Sequence, residues 1–152
     1  MATAPVTLDQ QKQQLRRIWA AMLGAVASYG AVCLLVLGAA DATADDTAGR
    51  FHNAFTVVGI ILGALSIWWR RHFLSTDPAP AGVDLSMGFP QFQAHSLIVW
   101  ALSDAVAACG LVLAFLVRSF QEFLPFGVAG AALLIMHHPF RLPYERLRAA
   151  GQ

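Results

Sequence analysis

Charge is what this sequence has least of. Asp, Glu, Lys and Arg make up 12% of its 152 residues, about half the share that covers the surface of a soluble domain. An ordinary water-facing globule is therefore not expected. Cysteine is scarce as well. Cys33 and Cys109 both fall inside apolar stretches and show no CxxC or CxxH spacing, so neither a disulfide framework nor a zinc site is indicated. They read as two small apolar side chains. No Lys/Arg-rich run resembles a phosphate-binding patch, and the net charge is only +1, which gives no reason to expect nucleic acid. Ser/His/Asp constellations, phosphate loops and HExxH motifs are missing too. No enzymatic activity, cofactor or metal is expected on that basis. The Gln-rich start, Met1 to Leu15, lacks the short apolar core and cleavage site of a signal peptide, so the first apolar stretch is expected to remain as a membrane anchor.

What the chain has in abundance is uninterrupted apolar length: 57% of its residues are hydrophobic. The expected fold is an all-α membrane protein of four transmembrane helices, arranged as two helical hairpins. The expected layout is one domain: a polar tail over 1–15, a four-helix transmembrane domain over 16–140, and a basic tail over 141–152. The spans are placed at about 18–40, 51–69, 96–117 and 120–138. The first is uncharged from Ile18 to Ala40, and 23 helical residues reach about 34 Å, enough for a hydrocarbon core of about 30 Å. The second stops at Arg70-Arg71-His72, and the third ends at Arg118. The fourth is the shortest. Only Phe123 to Met136 is free of strongly polar side chains, so it is extended to Phe120 and through His137-His138, with Pro125 tolerated in its first turn. A tilted or re-entrant helix is the alternative there.

Basic residues set the orientation. Lys12, Arg16, Arg17, Arg70, Arg71, Arg141, Arg146 and Arg148 fall on one side of this layout, with only Arg50 and Arg118 on the other. That bias puts both termini and the middle connector in the cytoplasm. Asp41, Asp45 and Asp46 then lie in an outer loop. Trp19, Trp68, Trp69 and Trp100 fall toward the cytoplasmic ends, as an interfacial aromatic belt requires. The connector from about Arg70 to Ala94 holds Pro78, Pro80, Gly82, Gly88 and Pro90 and is not expected to form a long helix. The basic tail, with Leu142, Tyr144 and Leu147 among its arginines, could adhere to anionic lipid, although the orientation bias already accounts for its charge.

The first and third spans resemble each other. Gly24 to Val32 and Asp104 to Val112 match at five of nine positions when offset by 80 residues, which suggests two parallel hairpins related by duplication. Small low-complexity helices also match by composition alone. Gly24, Gly30, Gly59, Gly63 and Gly110 are the candidate helix-packing positions. Gly59-x-x-x-Gly63 has the spacing that lets one membrane helix approach another closely, and packing within the chain is the simpler use.

Asp104 is the only acid inside any span, and it is the candidate ion-binding residue. A charged Asp at that depth costs about 2.5–3.5 kcal/mol on insertion scales, so the neutral, protonated form is favoured. Three readings stand. Asp104 glues helices by hydrogen-bonding Ser66, Ser103 or a free carbonyl, carries a proton or cation, or makes a contact to a partner.

The segment Ala101-Leu102-Ser103-Asp104-Ala105-Val106-Ala107-Ala108-Cys109-Gly110-Leu111-Val112-Leu113-Ala114-Phe115 resembles the carboxylate helix of the proteolipid subunit c of rotary ATP synthases. The resemblance implies that Asp104 is the ion-carrying carboxylate. It covers about 15 residues, and the family's short polar loop is replaced here by a connector of about 25. The whole chain, with its Leu-Pro-Phe and His-His-Pro runs, also resembles small uncharacterised bacterial four-helix membrane proteins, which implies a multi-pass protein of the bacterial inner membrane. His137-His138 is a poor metal or haem pair, because adjacent helical side chains point about 100° apart. These histidines, with His52, His72 and His95, read as polar residues at span ends. The expected function is a non-enzymatic accessory or structural subunit of a membrane complex, with a proton- or cation-handling protein as the alternative. The lipid bilayer is the expected partner, and a membrane-protein partner or a homo-oligomer is left open.

Overall fold

A computed structural model describes residues 8–38, 46–74 and 89–139. Its elements are α1 (Leu8–Leu37), α2 (Asp46–Phe73), α3 (Phe89–Val117), a short 3-10 turn (Phe120–Glu122) and α4 (Phe123–Met136). Among the described residues the chain is all helical. Three helices, over Asp9–Leu37, Gly49–Phe73 and Phe89–Val117, are long and apolar enough to cross a membrane. At 14 residues, α4 reaches only about 21 Å.

The helices are longer than the apolar runs that reveal them. Eight residues of the polar tail, Leu8 to Leu15, are helical and belong to α1. Phe89 to Ala94 likewise open α3 instead of closing the connector, because Pro90 sits in a first turn, where its missing N–H breaks no helical bond. The loop acids Asp41 and Asp45, the connector residues Pro78, Pro80, Gly82 and Gly88, and the basic tail lie outside the described residues.

Helix ends are closed locally. α1 stops at Gly38, whose left-handed φ of 62° goes with a bond from its N–H to Leu34 O at 3.0 Å, the αL termination for which glycine is suited. α3 stops in the same backbone region but with the wrong residue for it. Arg118 has φ 56°, and the next N–H, that of Ser119, returns to Ala114 O at 3.0 Å. That is the Schellman pattern with a side chain where glycine is preferred. It reverses the chain sharply enough for α4 to fold back on α3.

α3 is the centre of the bundle. It packs against α1, α2 and α4, whereas α1 and α2 share no comparable interface among the described residues. α4 runs antiparallel to both α1 and α3: it meets α1 at Trp19 near its end and at Gly30 near its start. The outer faces of α1 and α2 are apolar and exposed, with Leu35 84% and Ile60 66% accessible. In water such a surface would aggregate; in a bilayer it is the expected outer face. Buried residues instead run along α3 on several sides, from Phe92 through Trp100 and Ala107 to Leu113 and Val117.

Candidate functional site

Three polar assemblies interrupt this apolar bundle. The first surrounds the C-terminal end of α4. A helix leaves its last carbonyls without intrahelical partners, and inside an apolar bundle each needs a donor. Here every carbonyl from Leu133 to His137 has one. The backbone N–H groups of His137 and His138 reach Leu133 O and Ile135 O at 2.9 and 3.2 Å. The other donors come from three different helices. Trp19 Nε1 of α1 donates to Leu134 O at 2.8 Å, Arg70 Nη1 of α2 to Met136 O at 2.6 Å, and Trp100 Nε1 of α3 to His137 O at 2.9 Å. Of the four tryptophans that the sequence places toward one end, Trp19 and Trp100 are thus caps for α4, and Trp100 is fully buried where an interfacial ring was expected.

His137 itself turns inward and is 1% exposed. Its Nδ1 lies 3.3 Å from the hydroxyls of both Ser66 and Ser103, and both serines reach Val99 O, at 3.1 and 2.8 Å. The two serine oxygens are 3.1 Å apart. The two hydroxyl hydrogens have three acceptors within reach, Val99 O, the other serine and Nδ1, so Nδ1 accepts from a serine or donates to one according to its tautomer. Nε2 is buried with no partner among the described residues. An unpaired acceptor is tolerated better than an orphan N–H, which favours the proton on Nδ1. The expectation that His137 is an interfacial residue is corrected here: the turn after α4 aims it into the core. His138, one residue on, packs edge-to-face on Trp19 at 4.3 Å, as the 100° divergence of neighbours requires.

The second assembly is Asp104. Neither Ser66 nor Ser103 holds it, because both are committed to His137. The Tyr29 hydroxyl of α1 donates to Asp104 Oδ2 at 3.3 Å. Oδ1 is buried and has no partner among the described residues. Ser103 and Asp104 are chain neighbours about 100° apart on the helix, so one faces α2 and α4 while the other faces α1.

The third assembly is a hydrogen-bonded histidine–carboxyl pair that the sequence did not suggest. His52 Nδ1 of α2 lies 2.6 Å from Glu122 Oε2, in the turn before α4. Residues 70 apart give no periodic signal, and only the antiparallel packing of α2 with the α3–α4 turn brings them together.

The candidate packing glycines differ among themselves. A Cβ at Gly30 would lie 3.1 Å from the Phe123 ring, and one at Gly59 would lie 3.0 Å from Phe126. At Gly110 it would overlap Phe126 Cβ, and at Gly63 it would only touch Leu133, at 3.5 Å. Gly24 is exposed with nothing within 4 Å, so no close approach is made there. The closest backbone contact lies at Gly130, where a Cβ would stand 3.0 Å from Ser103 O. Gly30 and Gly110, equivalent in the repeat, receive Phe123 and Phe126 from the same face of α4. Among the described residues no three His, Cys, Asp or Glu side chains are grouped as metal ligands, and Cys33 and Cys109 are free thiols.

No family model, curated protein or solved structure matches this chain.

Proposed function

We propose that this chain is a non-enzymatic, multi-pass protein of a cell membrane, built as a four-helix accessory or structural subunit with both termini in the cytoplasm. The observation that carries the reading is the division of its surfaces. The outer faces of α1 and α2 are apolar and exposed, while the side chains of Trp19, Tyr29, Ser66, Trp100 and Ser103 turn inward and hydrogen-bond across helices. Arg16, Arg17, Arg70 and Arg71 stand at the tryptophan-bearing end, which supports a cytoplasmic position for that end. α4 completes the bundle as a short fourth helix whose terminus is capped from within. A bacterial inner membrane fits the likeness of the whole chain to small bacterial membrane proteins.

The test is topological and biochemical. Reporter tags at Met1, within Asp77–Gly88 and at Gln152 are expected to read cytoplasm, and one near Asp45 the outside. Purification in mild detergent is expected to bring down a defined membrane partner in fixed ratio. An external reading from the connector tag would overturn the topology, and a chain that always purifies alone would overturn the subunit role.

A second reading is favoured by one feature, the unpartnered buried Oδ1 of Asp104. An unfilled carboxylate oxygen beside a hydroxyl is a place where a proton or cation can be held, as the likeness of α3 to the subunit c carboxylate helix implies. A hydrophobic carbodiimide distinguishes the readings. An ion carrier labels at Asp104, with protection by its own cation, and loses transport in Asp104→Asn.

A further inference from the structure

Beside the Gly59–Phe126 contact, a groove of about 470 Å³ runs between α2 and α4, within the range of small-molecule sites. Gly59 and Gly63 line it without side chains on α2, and Ala129 and Leu133 line it on α4. Ile60 and Ala129 on its flanks are exposed on the outer surface, so it opens sideways, toward acyl chains in the membrane reading on which this inference rests. One end is polar. His52 lines it, with Thr56 one helical turn further along α2, and residues four apart on a helix share a face.

The chemistry of that end narrows the occupant. The His52–Glu122 pair adds no net charge when both groups are ionised, and no Lys or Arg lines the groove among the described residues. A phosphate head would find no surplus cation there, and a free carboxylate head would face Glu122. A neutral head is the complement. With Nδ1 engaged by Glu122, the Nε2 of His52 is left to donate as imidazolium or to accept as neutral imidazole. The Thr56 hydroxyl, which makes no hydrogen bond among the described residues, can do either. Such a pair suits a carbonyl oxygen and a hydroxyl equally.

We propose that this groove binds a neutral lipid with one long apolar tail and a head bearing carbonyl or hydroxyl oxygens, the quinone/quinol class. The tail lies along the groove past Gly59, Gly63 and Ala129, and the head meets His52 and Thr56.

The test uses the full chain in phosphatidylcholine nanodiscs, with a photoactivatable benzoquinone carrying a ten-carbon tail as probe. Alkaline extraction of membranes first shows that each variant is inserted, so failure of the membrane reading is seen separately from failure to bind. Saturable labelling is expected on peptides of α2 and α4, competed by unlabelled decyl-benzoquinone and its quinol but not by palmitate or phosphatidylglycerol. Ala129→Phe fills the groove from an exposed position and is expected to weaken labelling at least tenfold, with unchanged elution from a sizing column. Thr56→Val is expected to weaken it several-fold, with Thr56→Ser restoring it. Labelling that is unaffected by Ala129→Phe, equal competition by palmitate or phosphatidylglycerol, or crosslinking of the groove to a second copy of the chain would each overturn the proposal.

Discussion

The indole of Trp100, in the middle of the bundle, donates to the main-chain oxygen of His137 at 2.9 Å, and both residues are buried. The bond joins the central helix to the turn after the shortest one. Replacing Trp100 by Phe keeps an aromatic ring but leaves that carbonyl without its donor, a loss of about 1–3 kcal/mol for a buried group. Trp19→Phe removes the equivalent donor to Leu134 O at a partly buried site and is expected to have a smaller effect. Thermal unfolding in detergent measures both. A Trp100→Phe protein as stable as the parent would show that the cap does not hold α4.

Two glycines give opposite expectations. Gly130→Ala drives a methyl against Ala107 and the Ser103 carbonyl, and separating α3 from α4 is expected to destabilise the fold by about 1–3 kcal/mol. Gly24→Ala meets nothing within 4 Å and gains helix propensity worth up to about 1 kcal/mol. Denaturation midpoints of the two variants should move in opposite directions.

Arg118 holds a left-handed φ of 56°, a conformation costing a residue with a Cβ about 1–2 kcal/mol. Arg118→Gly is expected to raise stability by about 0.5–1 kcal/mol, because glycine's greater freedom in the unfolded chain takes back part of the gain. Arg118→Ala keeps the Cβ and should give no such gain. Equal melting temperatures for the Gly and Ala variants would refute the backbone explanation.

At Asp104 the structural role and the carrier role predict different phenotypes. Tyr29→Phe removes the hydroxyl that donates to Oδ2, and an interhelical bond of this kind is worth about 0.6–2 kcal/mol. Asp104→Asn keeps an oxygen that can accept it. Under the accessory-subunit reading the Asn variant folds, assembles and functions like the parent, and carbodiimide labels the parent only slowly. Rapid labelling that is blocked by a cation, together with loss of function in Asp104→Asn, would transfer the assignment to ion handling.

The sequence made the long helices legible because a run of 23 uncharged residues such as Ile18 to Ala40 leaves no other economical structure in a bilayer. It did not make the arrangement legible. α1 and α3 are equally apolar over their most apolar turns, yet α3 is far more buried. Lipid and protein neighbours are equally apolar, so the hydrophobic pattern does not separate a central helix from a peripheral one. The repeat suggested that α1 pairs with α2 as α3 does with α4, whereas α2 lies on α3. Asp104 was visible as a lone acid. Its partner Tyr29 was not, because a tyrosine in an apolar span gives no sign of where its hydroxyl points. His137 was misplaced because its depth depends on where α4 ends, and the pair His52–Glu122 depends on a turn set by Arg118 and Ser119.

The caps on α4 also bear on how the protein is made. Three of the last five carbonyl groups of that helix are satisfied by Trp19, Arg70 and Trp100, which are synthesised before it and belong to three separate helices. When α4 emerges, it has nothing of its own to quench those oxygens in lipid, and it is too short to rest comfortably as an isolated span. If the chain spans a membrane as proposed, insertion of α4 is therefore tied to a preassembled trio, and truncation of any one of the earlier helices should leave the last segment outside the bilayer or marked for proteolysis.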